Sequence, residues 1–330
     1  MRMTVLGGGS WGTALAHLAA GNGMDVTMLV RDGAQAEAVN NRHENPRYLP
    51  GLALNPGLRA VTDEKEALRA ADLCLLAVPC QFLREVLREV GPLIPAHAIP
   101  VCASKGIEVA SLKRMSEVVA DELPAQAARY GILSGPSFAR EVVQDKPTAV
   151  VLGCADAALG EKLRDIFSTP RFRVYSSTDV AGVETGGAVK NVMAIAAGLC
   201  DGLGLGDNAR AALITRSLAE MSRLGKALGA RGATFMGLSG MGDLVLTCAG
   251  DLSRNRQVGM RLAAGESLAH ITGALGMVAE GVKTTEAVCR LGRLHGIELP
   301  IASAVHRVII EGVPPLAMVG ELMSRALRDE

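Results

Sequence analysis

The sequence is poor in aromatic residues and carries no net charge. Its 330 residues include one Trp, three Tyr and five Phe. So few rings disfavour an all-β sandwich built on ring packing and a surface that stacks the bases of single-stranded nucleic acid. The 34 Lys and Arg residues balance the 34 Asp and Glu residues, so no overall field attracts DNA, RNA or an anionic membrane. Any recognition of phosphate must be local, and no nucleic-acid partner is expected.

Paired cysteines and long apolar runs are also missing. The seven cysteines are scattered, with no C-x-x-C pair typical of a metal clip or redox pair. No apolar run approaches the ~18 residues needed to cross a bilayer, and glycines interrupt the N-terminal apolar stretch where a signal peptide would need continuity. His17, His97 and His306 lack metal-ligand spacing. We expect a cytoplasmic protein with reduced thiols, no membrane insertion and no metal.

Apolar, partly β-branched runs alternate with amphipathic stretches through the first half of the chain. This alternation predicts βαβ units on a largely parallel sheet, with the later, more closely spaced strands free to pair differently. After residue 179 helical periodicity dominates. The sequence thus predicts a mostly parallel α/β domain at 1–179 and an all-α domain at 180–330. The predicted strands are 3–6, 26–30, 73–78, 99–103, 131–134, 149–152 and 172–175.

A glycine-rich turn follows the first predicted strand. Gly7, Gly9 and Gly12 occupy the glycine positions of G-x-G-x-x-G, and 13–20 is predicted to be helical. The first glycine of this motif makes a tight turn, the second lets the backbone approach a pyrophosphate, and the third lets helix and strand pack closely. The N–H groups of the helix N-terminus then face the anion. The pattern predicts a dinucleotide site, with a merely structural turn as the alternative.

The residue expected at the adenine ribose is an arginine. In NAD sites an acid closes the second strand and accepts the ribose 2′-hydroxyl. Here the second strand ends in Arg31, whose guanidinium can bind a 2′-phosphate or lie across the adenine. Asp32 follows and would reach the ribose after a small backbone shift. The pattern predicts an NAD(P)H cofactor with NADPH accepted or preferred; the alternative is a solvated turn.

Four further stretches combine polar side chains with small residues. The stretches 103–108 and 135–141 each follow an apolar strand. This places Lys105, in the first of them, near the carboxyl edge of the sheet, where ligands of open α/β sheets bind. One lies in a helix so rich in small residues that its backbone can approach a neighbour closely. One leads to Ser253, Arg254 and Asn255, phosphate-type donors at a predicted helix start that also fit a helix cap with solvated charges. The stretches are 103–108, 135–141, 187–192 and 237–244.

With these stretches the sequence resembles NAD(P)-dependent glycerol-3-phosphate dehydrogenases of the bacterial type. Seven blocks occur in the family's order and approximate spacing: GGGSWGTALA, ASKGIE, GPSFAREV, GAVKN, GLSGMGDLVLTC, SRNRQVG and AEGVKTT. The resemblance implies a Rossmann-like N-terminal domain, an all-α C-terminal domain and a homodimer. It also implies reversible reduction of dihydroxyacetone phosphate to sn-glycerol 3-phosphate, which supplies phospholipid synthesis.

The resemblance implies a catalytic role for Lys190, which lies in the block matching the family's catalytic helix. Lys190 is expected to protonate the nascent alkoxide and to act as base in the reverse direction. A free lysine, with a pKa of ~10.4, is a poor base near neutrality. Asp243 would accept a hydrogen bond from Lys190 or from a substrate hydroxyl. Burial and Lys105 would lower the lysine pKa, whereas a nearby Asp243 would raise it, and the sequence leaves the balance open. Without the resemblance, a helical lysine is ordinarily a snorkelling surface residue.

The other matched residues are expected to hold substrate or cofactor. Asn191 would hold a substrate oxygen, and Lys105 would orient the substrate as an alternative to acting as the second cation. The substrate phosphate would be bound by Ser253, Arg254 and Asn255, with Gly135 and Ser137 brought toward the substrate. Besides the glycine loop, the cofactor would be lined by Ser10, Trp11, Arg31, Lys105, Ala139, Arg254, Val278 and Glu280.

Two other functions fit parts of the sequence. A β-hydroxyacid dehydrogenase shares the cofactor fold and a helical catalytic lysine but takes a carboxylate substrate, which the segment from Gly242 to Asn255 disfavours. A regulatory protein that senses the NAD(P)H ratio would keep the glycine loop without catalysis. The presence of Lys105, Lys190 and Asp243 disfavours that function.

Overall fold

The computed structural model of the chain describes residues 1–275 and 279–326. The chain divides into two compact units, Met1–Lys105 with Lys113–Glu184 and Gly106–Leu112 with Thr185–Glu330. The domain boundary expected at residue 180 stays a prediction.

The first unit is built on one eight-stranded sheet. Its strands are β1 (Arg2–Leu6), β2 (Asp25–Leu29), β3 (Leu58–Val61), β4 (Leu73–Leu76), β5 (Ile99–Cys102), β6 (Gly131–Ser134), β7 (Thr148–Cys154) and β8 (Phe172–Ser177). The strand order is β3-β2-β1-β4-β5-β6-β7-β8. All neighbours pair in parallel except β6 and β7, which are antiparallel. This confirms the mostly parallel sheet and the different pairing of the later strands.

Helices cover both faces of this sheet. Val5 and Leu75 belong to one buried apolar cluster, whereas their neighbours Leu6 and Leu76 belong to another. Because successive strand side chains point to opposite faces, a sheet buried on both sides needs continuous apolar strands. The helices are α1 (Ser10–Gly21), α2 (Gly33–Glu37), α3 (Glu64–Leu68), α4 (Cys80–Val90), α5 (Met115–Glu122), α6 (Ala139–Val143) and α7 (Ala157–Phe167), with short helical turns at Ala38–Arg42, Gly91–Leu93 and Ala127–Arg129.

The edge strand β3 is not among the predicted strands, because it lacks the continuous apolar run by which the other strands are predicted. Its residues alternate between buried and exposed, with Arg59 exposed in the middle of the strand. An edge strand has one neighbour and tolerates such polar positions. The amphipathic pattern of residues 112–121 predicts a helix from residue 112, but α5 begins at Met115, because Leu112 adopts a left-handed φ of 61° that a helix does not accommodate.

Strand β2 ends at Leu29, one residue before the end of the predicted run 26–30 and two residues before Arg31. The Val30 N–H still donates to the carbonyl oxygen of Val61 at 3.0 Å, so the backbone stays extended beside β3. Arg31 therefore keeps its expected place, just beyond the carboxyl end of β2.

The second unit is built from helices, as predicted. They are α8 (Val180–Gly202), which begins in the first unit, α9 (Gly206–Ala227), α10 (Asp243–Ala249), α11 (Arg254–Ala263), α12 (Leu268–Leu275), α13 (Glu280–Leu294), α14 (Pro300–Ile310) and α15 (Pro315–Met323), with short helical turns at Gly232–Met236 and Leu238–Gly242. Helix α8 is buried along nearly its whole length. Within residues 1–275 and 279–326, no helix is long and apolar enough to cross a membrane.

Candidate functional site

The glycine loop between β1 and α1 has the geometry that the motif predicts. Gly7 adopts a φ of 113°, and a Cβ there would lie 2.7 Å from the carbonyl oxygen of Ala77. A Cβ on Gly12 would lie 2.2 Å from the carbonyl oxygen of Gly7. A Cβ on Gly9 would meet nothing within 4 Å. The first and third glycines thus permit the turn and the packing, and the second leaves open space on the side where a pyrophosphate would approach.

The N-terminus of α1 is suited to an anion. Gly9 is its N-cap, so no side chain caps the helix, and no acidic residue lies in its first turn. The Thr13 N–H makes the first helical hydrogen bond, to the Gly9 carbonyl oxygen at 2.9 Å. The positive end of the helix dipole is therefore not neutralised by an acidic side chain of this turn. Loop and helix together fit the pyrophosphate of a dinucleotide cofactor.

Arg31 and Asp32 differ in the hydrogen bonds that they make within the first unit. The Asp32 carboxylate accepts a hydrogen bond of 2.9 Å from the Ala34 N–H and so caps α2. Arg31 is exposed and makes no hydrogen bond or ion pair with any other residue that the structure describes. A guanidinium at this position can bind a ribose 2′-phosphate, whereas the carboxylate is occupied by its helix.

Three predicted substrate residues meet where β5 and β6 end. Lys105 Nζ donates to the Gly135 carbonyl oxygen at 3.1 Å, and Ser137 Oγ donates to the same oxygen at 3.0 Å. Gly135 has a φ of 139°, and a Cβ there would lie 2.9 Å from Val150 Cα. Because β5 and β6 are parallel, their carboxyl ends share one edge of the sheet. This is the edge at which open α/β sheets bind ligands.

The remaining predicted cofactor residues occupy varied settings. Ser10 Oγ donates to the Tyr48 carbonyl oxygen at 2.9 Å. Trp11 packs against the apolar core, and its buried indole N–H has no hydrogen-bond acceptor in the described part of the chain. Ala139 begins α6, and Glu280 begins α13 in the second unit. Val278 lies outside the described residues.

Lys190 is buried in the second unit. It lies on α8 with 7% of its surface exposed, so it is not a snorkelling surface lysine. Its Nζ lies 2.9 Å from Asp243 Oδ1 and donates to Thr247 Oγ1 at 2.8 Å. A buried ammonium requires such partners, because an isolated charge is strongly disfavoured away from water. The predicted pair of Lys190 and Asp243 is therefore present in the structure.

Helix α10 presents Asp243 and Thr247 to this lysine. Asp243 is its first residue and is 1% exposed, and Thr247 follows one turn later on the same face. Thr247 Oγ1 donates to the main-chain oxygen of Asp243 at 2.6 Å, which leaves its lone pairs for Lys190. Sequence reasoning missed Thr247. Its signal was the four-residue spacing from Asp243 within the segment GDLVLTC.

Glycines let other segments approach α8. A Cβ on Gly186 would lie 2.4 Å from the Ser239 carbonyl oxygen, and one on Gly198 would lie 2.0 Å from the Arg256 carbonyl oxygen. The close approach expected of this small-residue helix is confirmed. It places the helix bearing Lys190 directly against the segments that precede α10 and begin α11.

The first residues of α11 have different roles. Ser253 is the N-cap, and its hydroxyl accepts the Arg256 N–H at 3.2 Å. Arg254 is half-buried and makes no hydrogen bond or ion pair with another described residue. Arg256 is paired with Asp201 at 2.7 Å and with Asp251 at 3.0 Å. Ser253 therefore caps the helix, as one of the two interpretations of this cluster expects, whereas phosphate binding by Arg254 stays a prediction.

The amide of Asn255 joins α8, α11 and α13. Its Nδ2 donates to Asn191 Oδ1 at 2.9 Å, and its Oδ1 accepts the Gly281 N–H at 3.1 Å. A Cβ on Gly281 would lie 2.6 Å from the Asn191 carbonyl oxygen, so only glycine permits this approach. The side chain of Asn255 thus fixes Asn191, the residue after Lys190.

Cysteines and metal-ligand groups do not add to this site. Burial raises the pKa of Cys248, the residue after Thr247, to about 12, which keeps its thiol protonated at neutral pH. All seven cysteines are buried and unpaired with one another. In the ranges 1–275 and 279–326 no group of three His, Cys, Asp or Glu side chains is arranged to hold a metal ion.

A mostly parallel open sheet with a glycine loop suited to an anion, followed by helices that bury a lysine and an aspartate, is typical of nicotinamide-dinucleotide dehydrogenases as a class. Comparison with known proteins gives the family. The family model for the N-terminus of NAD-dependent glycerol-3-phosphate dehydrogenases matches residues 2–160. The family model for their C-terminus matches residues 179–320.

Relatives match over the full length. The glycerol-3-phosphate dehydrogenase (NAD(P)+) of Nitratidesulfovibrio vulgaris Hildenborough is 63% identical over 330 residues, all of both chains. That of Oleidesulfovibrio alaskensis is 62% identical, also over all of both chains. The crystal structure of glycerol-3-phosphate dehydrogenase from Coxiella burnetii matches 98% of this chain and 99% of its own, with a TM-score of 0.93 and 40% identity. The chain belongs to the NAD-dependent glycerol-3-phosphate dehydrogenase family, which confirms the predicted family and fold.

Proposed function

We propose that this chain reversibly reduces dihydroxyacetone phosphate to sn-glycerol 3-phosphate with NAD(P)H. The observation that carries the proposal is the buried Lys190, held between Asp243 and Thr247 at 2.9 and 2.8 Å in a chain of this family. Bound NAD(P)H supplies a hydride to the carbonyl carbon. The protein must then hold the substrate phosphate and deliver a proton to the carbonyl oxygen.

Lys190 is proposed as the general acid at that oxygen and as the base in the reverse direction. A positioned acid of this kind contributes roughly 10²- to 10⁴-fold to rate. Asp243 and Thr247 hold the ammonium in place, so that the acid is oriented before the substrate binds. Lys105 is proposed as a second cation near the carbonyl oxygen or as a group that orients the substrate.

The substrate phosphate is proposed to bind at the start of α11. Arg254 offers a guanidinium without an ion-pair partner in the described residues, and a guanidinium binds phosphate through parallel N–H groups. Ser253 and Asn255 add polar groups at the helix N-terminus. Asn191 is proposed to hold a substrate oxygen, with Gly135 and Ser137 as further substrate contacts.

The cofactor is proposed to bind the glycine loop through its pyrophosphate, with Arg31 at the ribose 2′-phosphate of NADPH. The open space at Gly9 and the exposed guanidinium support this assignment. The further proposed contacts are Ser10, Trp11, Lys105, Ala139, Arg254, Val278 and Glu280.

We also propose a cellular setting and an assembly for this chain. The product would supply the backbone of glycerophospholipids in the cytoplasm. A homodimer is supported by exposed apolar side chains near the C-terminus, among them Ile310, Leu316 and Met323. The chain is proposed to act as a cofactor domain at 1–179 and a substrate domain at 180–330.

The proposed activity is tested by following nicotinamide absorbance with purified protein. NADPH and NADH are compared in parallel, with dihydroxyacetone phosphate as substrate and unphosphorylated dihydroxyacetone as control. Turnover that requires the phosphate is the expected result. Turnover of 3-hydroxyisobutyrate but not of dihydroxyacetone phosphate would favour a β-hydroxyacid dehydrogenase, and cofactor binding without any turnover would favour a sensor.

A further inference from the structure

Three side chains converge on one carbonyl oxygen of the glycine loop. Gln35 Nε2 donates to the Gly8 oxygen at 2.5 Å, Asn45 Nδ2 donates at 3.0 Å, and Thr13 Oγ1 donates at 3.4 Å. Gln35 lies on α2, and Asn45 lies in the loop before β3. Neither belongs to the G-x-G-x-x-G motif, and Gly8 is one of its variable positions. The convergence therefore needs an explanation that the motif does not provide.

The amide of Asn45 is committed to this loop. Asn45 is fully buried, and its Nδ2 also donates to Thr13 Oγ1 at 2.8 Å. Both amide hydrogens thus have acceptors, while the buried Oδ1 has no donor in the part of the chain that the structure describes. Turning the amide over would place its oxygen against the Gly8 carbonyl oxygen, where two acceptors would repel each other. The orientation of the Asn45 amide is therefore fixed.

The absence of a side chain at Gly8 keeps Gln35 in place. A Cβ there would lie 2.5 Å from Gln35 Nε2 and 2.6 Å from Val30 Cγ1. Any larger residue would push the Gln35 amide away from the carbonyl oxygen to which it donates. This accounts for a glycine at a position where the motif does not demand one.

Fixing the Gly8 carbonyl also fixes the N–H of Gly9. In a trans peptide the C=O and the following N–H point in opposite directions. The Gly8 oxygen faces the three donors, so the Gly9 N–H faces away from them. It has no acceptor among the described residues, and the space around Gly9 Cα is open.

We propose that Asn45 and Gln35 are positioning residues that hold the Gly8–Gly9 peptide so that its N–H donates to the cofactor pyrophosphate. The inference rests on the proposed binding of NAD(P)H at this loop. A donor fixed before binding does not have to be ordered at the moment of binding, which strengthens affinity. The pyrophosphate is common to NADPH and NADH, so these residues serve both cofactors equally.

Dissociation constants of NADPH and NADH, measured from the fluorescence of the bound nicotinamide, test this proposal. Asn45→Leu and Gln35→Leu remove donors to the Gly8 oxygen without adding charge. Asn40→Leu is the matched control, because Asn40 makes two 2.8 Å hydrogen bonds to the Ala60 backbone away from the loop. Gln35 is only half-buried, so its variant keeps the test possible if Asn45→Leu fails to fold.

Asn45→Leu and Gln35→Leu are each expected to raise both dissociation constants about 10-fold and to leave their ratio unchanged. Asn40→Leu is expected to lower the thermal midpoint while changing both constants less than about 2-fold. Unchanged dissociation constants in the folded Asn45 and Gln35 variants would overturn this inference but not the proposed function. An equal rise of the dissociation constants in Asn40→Leu would do the same. Parent protein that binds neither cofactor would overturn the proposed function and this inference with it.

Discussion

Thr247 Oγ1 lies 2.8 Å from Lys190 Nζ and donates its own proton to the main-chain oxygen of Asp243 at 2.6 Å. The hydroxyl can therefore only accept from the lysine, which fixes both the position of the ammonium and the direction of one N–H. The lysine is held at two points by one helix, since Asp243 and Thr247 both lie on α10.

Replacing this hydroxyl should slow the chemical step. Thr247→Val keeps the shape but removes the acceptor, so kcat is expected to fall about 10- to 100-fold with the dissociation constant of NADPH unchanged. Thr247→Ser keeps the hydroxyl and should retain most of the activity. The measurement is steady-state turnover of dihydroxyacetone phosphate for both variants. Equal kcat values for the Val and Ser variants would show that the hydroxyl does not position Lys190.

The two arginines at the start of α11 should behave differently. Arg254→Ala is expected to raise the KM for dihydroxyacetone phosphate about 10- to 100-fold, because a charge-assisted contact to phosphate is lost. Arg256→Ala breaks the pairs with Asp201 and Asp251 and should mainly lower the thermal midpoint. KM values and melting curves of both variants separate the two effects. An Arg254→Ala enzyme with an unchanged KM would refute the phosphate assignment.

Arg31 should set the choice between the two cofactors. It is exposed and has no ion-pair partner in the described chain, whereas Asp32 caps α2. Arg31→Ala is expected to weaken NADPH binding about 10-fold or more and to change NADH binding little, since only NADPH carries the 2′-phosphate. Dissociation constants of both cofactors test this. A loss shared equally by both would place Arg31 elsewhere on the cofactor.

Stability should depend on pH through Glu220. This residue of α9 is 1% exposed and accepts the Ile301 N–H at 2.7 Å at the start of α14. Burial raises the pKa of Glu220 from 4.5 to about 7, although hydrogen bonds from the backbone oppose this shift. The folded chain therefore keeps this proton between about pH 4.5 and 7 while the unfolded chain loses it. The free energy of unfolding falls as pH rises through this window, by up to about 3 kcal/mol.

Denaturant unfolding between pH 4.5 and 7 measures the contribution of Glu220. Glu220→Gln should remove this part of the slope, because a neutral amide binds no proton in either state. Glu161→Gln, an exposed position on α7, serves as the control and should leave the slope unchanged. Identical slopes for Glu220→Gln and the parent chain would contradict the assignment.

The sequence predicts features that depend on neighbours along the chain. The glycine loop, the apolar strands of the first unit and the helix start at Arg254 are all local patterns, and each has its expected place in the structure. The family resemblance adds Lys190 and Asp243, which lie 53 residues apart and meet at 2.9 Å.

Contacts between distant residues without a shared local pattern could not be predicted. Asn45 meets Gly8 across 37 residues, and Thr247 meets Lys190 across 57 residues. Nothing in the residues around Asn45 indicates a donor to the glycine loop, because the contact depends on how the segment before β3 folds back. Strand β3 was missed for a related reason, since its place at the sheet edge allows a polar residue in its centre.

The most direct test concerns the proton that Lys190 delivers. Lys190→Met should reduce turnover of dihydroxyacetone phosphate by about 10²- to 10⁴-fold while NADPH binding stays within about 2-fold of the parent. Lys226→Met, on the exposed side of α9, should retain full turnover. Because Lys190→Met leaves the carboxylate of Asp243 buried without the lysine ammonium, the double variant Lys190→Met/Asp243→Asn keeps the comparison between folded proteins. Folded Lys190 variants that turn over within about 10-fold of the parent would contradict the account.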